Sequence, residues 1–314
     1  MKKNPLLILL GISLAFFLVF MGFVYFVLQN FVSDGDSPLM ALNKGGSIGV
    51  VEVDGVIMES KKIVQQLKRF EKDRSIKGII LRVDSPGGAV GPSQEIHDAI
   101  LKIRETKPVV ASMESVAASG GLYIAVAAER VVANPGTITG SIGVIMNFIN
   151  LAQLYDWAKV KRYVVKSGKY KDLGSDLREM SEEERALVQE MIDNVNMQFM
   201  TAVAKGRKLS IEKVKEIATG RIYTGEQAFQ LKLVDKLGGL DMAVSEMKAL
   251  AKLDGEPELV YPRPKRQSLA EALGAPISNG IADHILRRLG LNLPESADAA
   301  ASLPRGLLYL APGF

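Results

Sequence analysis

Strand-like and helix-like patterns alternate from residue 48 to residue 113. Three short apolar runs, "IGVVEVDG" at Ile48–Gly55, "GIILRVDSPGG" at Gly78–Gly88 and "PVVASM" at Pro108–Met113, are typical of buried strands. The stretch "SKKIVQQLKRFEKD" between the first two has apolar residues at helical spacing, and so has "SQEIHDAILKIRE" before the third. This alternation predicts an α/β layered domain with a largely parallel sheet buried between helices.

An uncharged apolar run of 23 residues, Leu6–Leu28, precedes these patterns. A helix of that length, at about 1.5 Å per residue, crosses a hydrocarbon core of about 30 Å. The run is long for a signal peptide and ends in bulky residues without a small-residue cleavage site, so we expect a retained transmembrane helix. Lys2 and Lys3 precede it, whereas Asp34 and Asp36 follow it. The positive-inside rule therefore predicts a cytoplasmic N-terminus and a folded domain outside the plasma membrane.

Changes in composition divide the chain into four segments. A stretch rich in Gly, Ser, Asp and Pro follows the apolar run and has the composition of a tether. The second half of the folded part predicts a long amphipathic helix that begins with a capping box of Ser181 and Glu184. Beyond about Pro262 the periodicity is lost. We expect an N-terminus and anchor at 1–32, a tether at 33–46, a folded domain at 47–262 and a weakly structured or interface-forming extension at 263–314.

The supply of reactive side chains excludes several kinds of chemistry. The chain has no cysteine, which removes thiol nucleophiles, disulfides and thiolate zinc sites. Its two histidines, His97 and His284, are too few for a histidine-rich metal site, and we expect neither a metal nor a cofactor. The net charge of +4 is spread without a dense basic run, so nucleic acid is not an expected partner. Chemistry here has to use hydroxyl, lysine or carboxylate groups.

Three serines follow strand-like runs and are candidate nucleophiles. Ser85 precedes a proline, which suits an extended strand exit, and Ser141 lies in "TGSIGV". Ser119 in "AASGGLY" follows a strand and begins an apolar helix, where the N–H of Gly120 and the helix dipole could hold an oxyanion. The alternative for Ser119 is a plain N-cap, which is the commoner role of a serine at a helix start.

A base for such a serine has to be lysine. We expect His97 on the solvent-facing side of its helix and His284 in the loosely patterned C-terminal part, so a Ser-His-Asp triad is not expected. A lysine base needs its pKa lowered from about 10.4 to near 7, which requires desolvation without a carboxylate partner. The turn "VVKSGKYKDLGSDLREM" offers Lys166, Lys169 and Lys171, and the pattern alone does not choose among them.

The paired glycines of "SPGGAVG", Gly87 and Gly88, suit an oxyanion site. Without side chains they allow the backbone to approach a substrate closely with exposed N–H groups. The alternative is a tight turn that binds nothing.

Five motifs carry a resemblance to a known family. "VDSPGGAV", "SVAASGGLYIA", "TGSIGV", "SGKYKDLGSDLREMSEEE" and "GRIYTGEQAFQLKLVD" occur in the order, and at about the spacing, of short bacterial signal peptide peptidase A, a family of membrane-bound Ser-Lys proteases. The resemblance covers roughly residues 46–250. It implies a crotonase-like and Clp-protease-like layered α/β fold of repeated strand–strand–helix units, preceded by one N-terminal transmembrane helix.

The resemblance also assigns roles to individual residues. It makes Ser119 the nucleophile and makes Gly88 and Gly120 the N–H donors of the oxyanion hole. It makes Lys171 the general base and Ser141 the residue that orients the lysine amine.

The residue after the implied base is acidic. Asp172 is expected to point away from Lys171, because a carboxylate beside the amine would raise the lysine pKa.

The implied activity is endoproteolytic cleavage of signal peptides that remain in the membrane after release by signal peptidase. The implied partners are these peptides, the membrane and further copies of the chain in a homo-oligomer. One alternative is a Ser-Lys protease that acts on a stomatin-like membrane protein. The other is a non-proteolytic protein with the crotonase fold, against which the anchor and the lysine cluster argue.

The C-terminal sequence "DAAASLPRGLLYLAPGF" has the small and apolar residues of a signal peptide. It could therefore occupy the chain's own site or be trimmed by it. The alternative is an unstructured terminus.

Overall fold

The computed structural model describes residues 13–24, 46–262 and 308–310. The chain divides into two compact units, Met1–Gly45 and Gly46–Phe314. In the first unit residues 13–24 form helix α1, and the rest of the predicted anchor lies outside the described residues. No helix in the described ranges combines the length and the apolar character that a membrane span requires.

The second unit contains the regular elements on which the site is built. Its strands are β1 (Ser47–Asp54), β2 (Ile76–Ser85), β3 (Gly87–Ala89), β4 (Val109–Ala118), β5 (Arg130–Ala133), β6 (Ile138–Gly140), β7 (Ile222–Thr224), β8 (Lys236–Leu237), β9 (Glu258–Val260) and β10 (Leu308–Leu310). Its helices are α2 (Lys61–Lys72), α3 (Val90–Ile103), α4 (Gly120–Ala125), α5 (Ala152–Trp157), α6 (Glu182–Arg207), α7 (Ile211–Ile217), α8 (Gly225–Gln230) and α9 (Leu240–Ala251).

Eight of these strands form one mainly parallel sheet. The order is β7-β6-β4-β2-β1-β9, with β5 also pairing with β4, and β8 pairing with β5. Six strand pairs are parallel: β1–β2, β1–β9, β2–β4, β4–β5, β4–β6 and β5–β8. Strand β7 runs antiparallel to β6. The prediction of an α/β domain with a largely parallel sheet is confirmed.

The sheet is buried on both faces, which explains its continuous apolar strands. Ile79 and Leu81 of β2 pack in a core layer with α2, α3, α4 and α6, whereas Ile80 between them packs on the other face with Met247 of α9. Both faces of a parallel strand therefore need apolar residues, and each fully buried aliphatic side chain contributes about 1.5–3 kcal/mol.

Helix α6 is the predicted long amphipathic helix. The Ser181 hydroxyl accepts a hydrogen bond from the Glu184 N–H at 3.2 Å, and the Glu184 carboxylate accepts one from the Ser181 N–H at 2.9 Å. The predicted capping box is thus confirmed. Val188, Phe199 and Val203 on the predicted apolar face are buried. The capping box therefore fixes the start of α6 directly after the lysine-rich turn.

Candidate active site

Ser119 occupies the turn between strand β4 and helix α4. Its backbone has φ 53° and ψ −115°, and left-handed conformations of this kind cost a residue with a side chain on the order of 1–3 kcal/mol. The turn is held on both sides. The Ser119 N–H donates to the Gly140 carbonyl at 2.8 Å, and the Ser119 carbonyl accepts from the Tyr123 N–H at 2.8 Å. A strained strand-to-helix turn is a geometry that presents a nucleophilic serine.

The Ser119 hydroxyl is fully buried and has no hydrogen-bond partner among the described residues. It caps no N–H of helix α4, so the alternative role of a plain N-cap is wrong. A buried hydroxyl without a partner costs about 1–3 kcal/mol. Such a group fits a nucleophile whose partners, the substrate and the base, are supplied from elsewhere.

Two glycines bring bare backbone close to this turn. A Cβ atom built on Gly120 would lie 3.1 Å from the amide nitrogen of Gly88, so strand β3 directly adjoins the start of α4. A Cβ atom on Gly88 would lie 2.1 Å from the carbonyl oxygen of Ile57, a separation that leaves room for glycine alone. Gly88 lies within a strand and not in the tight turn considered as the alternative.

Strand β3 directs the N–H of Gly88 away from Ile57. The Gly87 carbonyl accepts from the Ile57 N–H and the Ala89 N–H donates to the Ile57 carbonyl, each at 2.8 Å. Backbone groups alternate in direction along a strand, so the Gly88 N–H faces the other edge of β3. Strand β10 runs antiparallel along that edge, with Tyr309 opposite Gly88. The edge beside the candidate oxyanion hole therefore accommodates an extended peptide.

The other two candidate serines lie nearby. The Ser85 hydroxyl donates to the Gly55 carbonyl at 2.6 Å and accepts from the Gly87 N–H at 3.2 Å, so it shapes the exit of β2 toward β3. Ser141 is buried, has φ 51° and directly follows Gly140, the residue whose carbonyl holds Ser119. Strands β4 and β6 are parallel neighbours, so Ser119 and Ser141 both lie just beyond their carboxyl ends.

Lys171 lies on an exposed turn between α5 and α6, and its N–H donates to the Gly168 carbonyl at 3.2 Å. Within the described residues its ammonium has no hydrogen-bond or ion-pair partner. The single chain does not join it to Ser119 by a hydrogen bond, because the Ser119 hydroxyl has no partner. The pairing of the two residues stays a prediction.

The ion pairs of the turn distinguish Lys171 from its neighbours. Lys166 pairs with Asp172, and Lys169 pairs with Glu183. The hydrogen bond to Glu183 raises the pKa of Lys169, which is the opposite of what a base requires. Of the three lysines in this described turn, Lys171 is the one that no carboxylate contacts.

The Asp172 carboxylate is bound on two sides. The Arg178 guanidinium donates to it at 3.1 and 3.3 Å, and Lys166 donates as well. These hydrogen bonds, with that of Arg178 the strongest, lower the pKa of Asp172 to about 2. The carboxylate is engaged away from the Lys171 amine, in agreement with the expectation that it points elsewhere. The pattern gave no role to Arg178.

His97 was expected on a solvent-facing helix side, and that prediction is wrong. The side chain is 7% exposed and its ring packs at a tilt of 51° against the ring of Tyr123 in α4, with ring centroids 4.8 Å apart. Burial lowers the pKa of His97, so the imidazole supports the helix behind Ser119 as a neutral packing group. The ring is not a hydrogen-bond partner of the Ser119 hydroxyl. His284 lies outside the described residues.

No cluster of metal-ligating side chains occurs in the part of the chain that the structure describes. A cavity of about 530 Å³ opens beside β4 and β6 and is lined by Ser112, Glu114 and Asn134 among others. None of the predicted site residues lines it, so it is separate from the Ser119 turn.

A strained serine with an unpaired hydroxyl, backed by glycine amides on a parallel sheet, defines a serine peptidase of the Clp-protease-like class. The sequence model of Clp protease matches residues 50–137, and that of peptidase family S49 matches residues 102–254.

Named relatives agree with these matches. A putative protease of Synechocystis sp. is 45% identical over 66% of this chain and 75% of its own length. A putative signal peptide peptidase SppA of Enterococcus faecium is 37% identical over 64% of this chain and 59% of its own. The chloroplastic serine protease SPPA of Arabidopsis thaliana is 34% identical over 71% of this chain, which spans only 34% of that relative. The chain belongs to peptidase family S49 and is a serine peptidase of the SppA type, as the resemblance predicted.

Proposed function

We propose that this chain is a membrane-anchored serine endopeptidase that degrades cleaved signal peptides, with Ser119 as nucleophile and Lys171 as general base. The observation that carries the proposal is the buried and unpaired Ser119 hydroxyl on its strained turn. Membership of a peptidase family argues against the non-proteolytic crotonase-fold alternative.

The proposed reaction gives each of these groups one step. The neutral Lys171 amine removes the proton of the Ser119 hydroxyl as its oxygen bonds to the scissile carbonyl carbon. The resulting oxyanion accepts hydrogen bonds from the N–H groups of Gly88 and Gly120, and Ser141 orients the amine. The tetrahedral intermediate then expels the amine of the leaving peptide, which takes the proton from Lys171. An acyl-enzyme ester on Ser119 remains.

Hydrolysis of the ester repeats the same steps with water. Lys171 removes a proton from the water molecule as its oxygen attacks the ester carbonyl, and the same two amides hold the oxyanion. Collapse of this second intermediate releases the carboxylic acid product and returns the proton to Ser119. The reaction consumes one water molecule and needs no cofactor.

Substrates bind as an added strand on β3. The pairing of Leu308–Leu310 with Gly87–Ala89 supports this, because it places a backbone segment along the edge that the Gly88 N–H faces. The small residues around Ser119 leave space for an extended chain. An unfolded apolar peptide released from a signal sequence fits this mode of binding.

We place the peptidase domain outside the plasma membrane, tethered by residues 33–46 to an anchor in residues 1–32. The uncharged run Leu6–Leu28 and the flanking charges support this topology. A domain in that position meets signal peptides where they leave the bilayer.

The enzyme works as a homo-oligomer. The segment 145–165, here called the arm, carries large apolar side chains in water: Trp157 is 80% exposed, Tyr163 is 85% exposed and Val165 is fully exposed. An exposed apolar surface of this kind is typical of an interface. Packing of the arm against a neighbouring copy would also bring the turn with Lys171, which follows the arm, close to that copy.

The test is cleavage by the full-length chain of two peptides, a synthetic signal peptide and a C-terminal segment of a stomatin-like protein. We expect cleavage of the signal peptide, and we expect Ser119→Ala and Lys171→Ala each to abolish it. The matched control is Lys169→Ala, which removes a lysine of the same turn that is paired with Glu183 and should leave the rate unchanged. Cleavage of the stomatin segment but not of the signal peptide would refute the proposed substrate and favour a stomatin-like protein instead. Undiminished hydrolysis in either alanine variant would refute the dyad.

A further inference from the structure

Arg178 connects the lysine turn to the start of helix α6. Its guanidinium donates to both oxygens of Glu184 at 2.6 and 2.7 Å and to both oxygens of Asp172 at 3.1 and 3.3 Å. Glu184 is also the capping-box residue of α6 and is 5% exposed. One arginine therefore ties the residue next to Lys171 to a buried point of the helix.

The bridge also determines the charge next to Lys171. Asp172 is adjacent to it in sequence, and a carboxylate within about 4–6 Å of an amine favours the protonated amine. Arg178 and Lys166 occupy both oxygens of Asp172, whose side chain is 14% exposed. The Asp172 charge is therefore neutralised by groups other than Lys171.

Two further carboxylates near the turn are also paired. Glu183 accepts hydrogen bonds from Lys169 and from the Tyr170 hydroxyl. Asp176 accepts from Arg162 and from the Tyr155 hydroxyl. Among the described residues of the turn, each of these carboxylates thus has a cationic partner.

We propose that Arg178 is a positioning residue for the reaction: it holds the Asp172 carboxylate away from Lys171 and fixes the Lys171 turn on helix α6. The inference rests on the proposed role of Lys171 as general base. Arg178 contacts neither substrate nor reacting atoms and acts only through Lys171. Replacing it by a neutral residue leaves Asp172 with Lys166 as its one neighbouring cation and allows the carboxylate to turn to Lys171.

A bridge that only stabilised the fold would behave differently. Its loss would lower kcat/KM by the same factor at every pH, together with the melting temperature. A carboxylate released beside the base instead raises the pKa of Lys171. The rising limb of kcat/KM, which reports the neutral lysine, then moves to higher pH. The pH profile therefore separates the two roles.

The experiment measures kcat/KM of the full-length chain in detergent between about pH 6 and about pH 10.5, with a signal peptide as substrate. For Arg178→Met we expect the rising limb to shift upward by about one pH unit, so that kcat/KM falls about tenfold at pH values well below the limb and recovers at high pH. Arg178→Lys retains a positive charge but cannot bridge both carboxylates, and we expect a smaller shift. The control Arg185→Met removes an exposed guanidinium of helix α6, the helix to which Arg178 binds, and should leave the limb in place.

The decisive variant is the double substitution Arg178→Met with Asp172→Asn. It removes the released carboxylate, so the limb should return to the wild-type position even if the melting temperature stays low. A loss that is equal at all pH values, or a shift that the double variant does not reverse, would overturn the proposal. Lys171→Ala separates the two proposals. If that variant retains activity, the dyad is wrong; if it is inactive while Arg178→Met leaves the limb unmoved, only the role of Arg178 is wrong.

Discussion

Two features of Ser119 lower the stability of the folded chain, and a serine with a purely structural role would be expected to avoid them. Its backbone is left-handed with a side chain attached, and its hydroxyl is buried without a partner. Neighbouring Ser85 is equally buried, yet its hydroxyl donates to the Gly55 carbonyl and accepts from the Gly87 N–H. The contrast between the two serines distinguishes a group kept for chemistry from one kept for folding.

This contrast predicts opposite effects on stability. Ser119→Ala should abolish hydrolysis. In the monomeric chain it should raise the free energy of unfolding by about 1 kcal/mol, because it removes a buried hydroxyl that is unpaired within one chain. Ser85→Ala should lower the free energy of unfolding by about 1–3 kcal/mol, because it leaves the Gly55 carbonyl and the Gly87 N–H without their partner. Urea denaturation of the two variants measures both changes. A monomeric Ser119→Ala chain less stable than the matching chain with serine would show that the hydroxyl has a partner within one chain.

Gly88 allows a second test with a matched control. Gly88→Ala places a Cβ atom against the Ile57 carbonyl and displaces the N–H that faces the substrate edge. We expect kcat/KM to fall about 10²–10³-fold, the cost of losing one oxyanion donor. Gly91→Ala, at the start of α3, meets no atom within 4 Å and should keep full activity with a slightly higher melting temperature. Full activity of Gly88→Ala would exclude this amide from the oxyanion hole.

At the level of elements, β3 is short but has neighbours on both edges. One edge binds the Ile57 backbone and the other pairs with β10, which also approaches helix α4. A free edge strand invites pairing with any extended segment, and here the segment comes from the same chain. The C-terminal segment was predicted either to occupy the site or to be unstructured, and the pairing favours occupancy.

Occupancy by the chain's own strand predicts competition with substrate. Tyr309→Pro removes the backbone N–H opposite Gly88 and should prevent β10 from pairing. We expect KM for a signal peptide to fall about threefold to tenfold with kcat unchanged, because the edge is then open in nearly all molecules. Tyr309→Ala keeps the backbone donor and serves as the control for the loss of the tyrosine ring. An unchanged KM in the proline variant would mean that β10 does not compete for the substrate edge.

For the whole molecule, the sequence predicts what depends on local pattern and misses what depends on contacts between distant segments. The parallel strands and helix α6 follow from apolar periodicity and from the Ser181–Glu184 capping box. The burial of His97 was missed, because a single polar residue on a helix does not reveal that a tyrosine ring covers it. The role of Arg178 was missed as well, since an ion pair six residues away leaves no periodic signal.

The link between Ser119 and Lys171 is the part of the site that a single chain does not complete. Lys171 follows the exposed apolar arm, which we propose is buried against a second copy. We therefore expect the dyad to form between chains, with Lys171 of one copy reaching Ser119 of its neighbour. Val165→Asp places a charge on a fully exposed apolar position of the arm and should convert the oligomer into an inactive monomer, as measured by light scattering and hydrolysis.

Co-expression of two inactive chains tests the source of the lysine. In an oligomer assembled from equal amounts of Ser119→Ala and Lys171→Ala chains, a site between two chains is complete when one chain supplies an intact Ser119 and its neighbour supplies an intact Lys171. Random assembly makes about a quarter of such sites complete, so the mixture should show about a quarter of the wild-type rate. Each variant alone, and a mixture in which both chains also carry Val165→Asp, should be inactive. If the dyad formed within one chain, no mixed site would hold both residues, and the co-expressed enzyme would be as inactive as either parent.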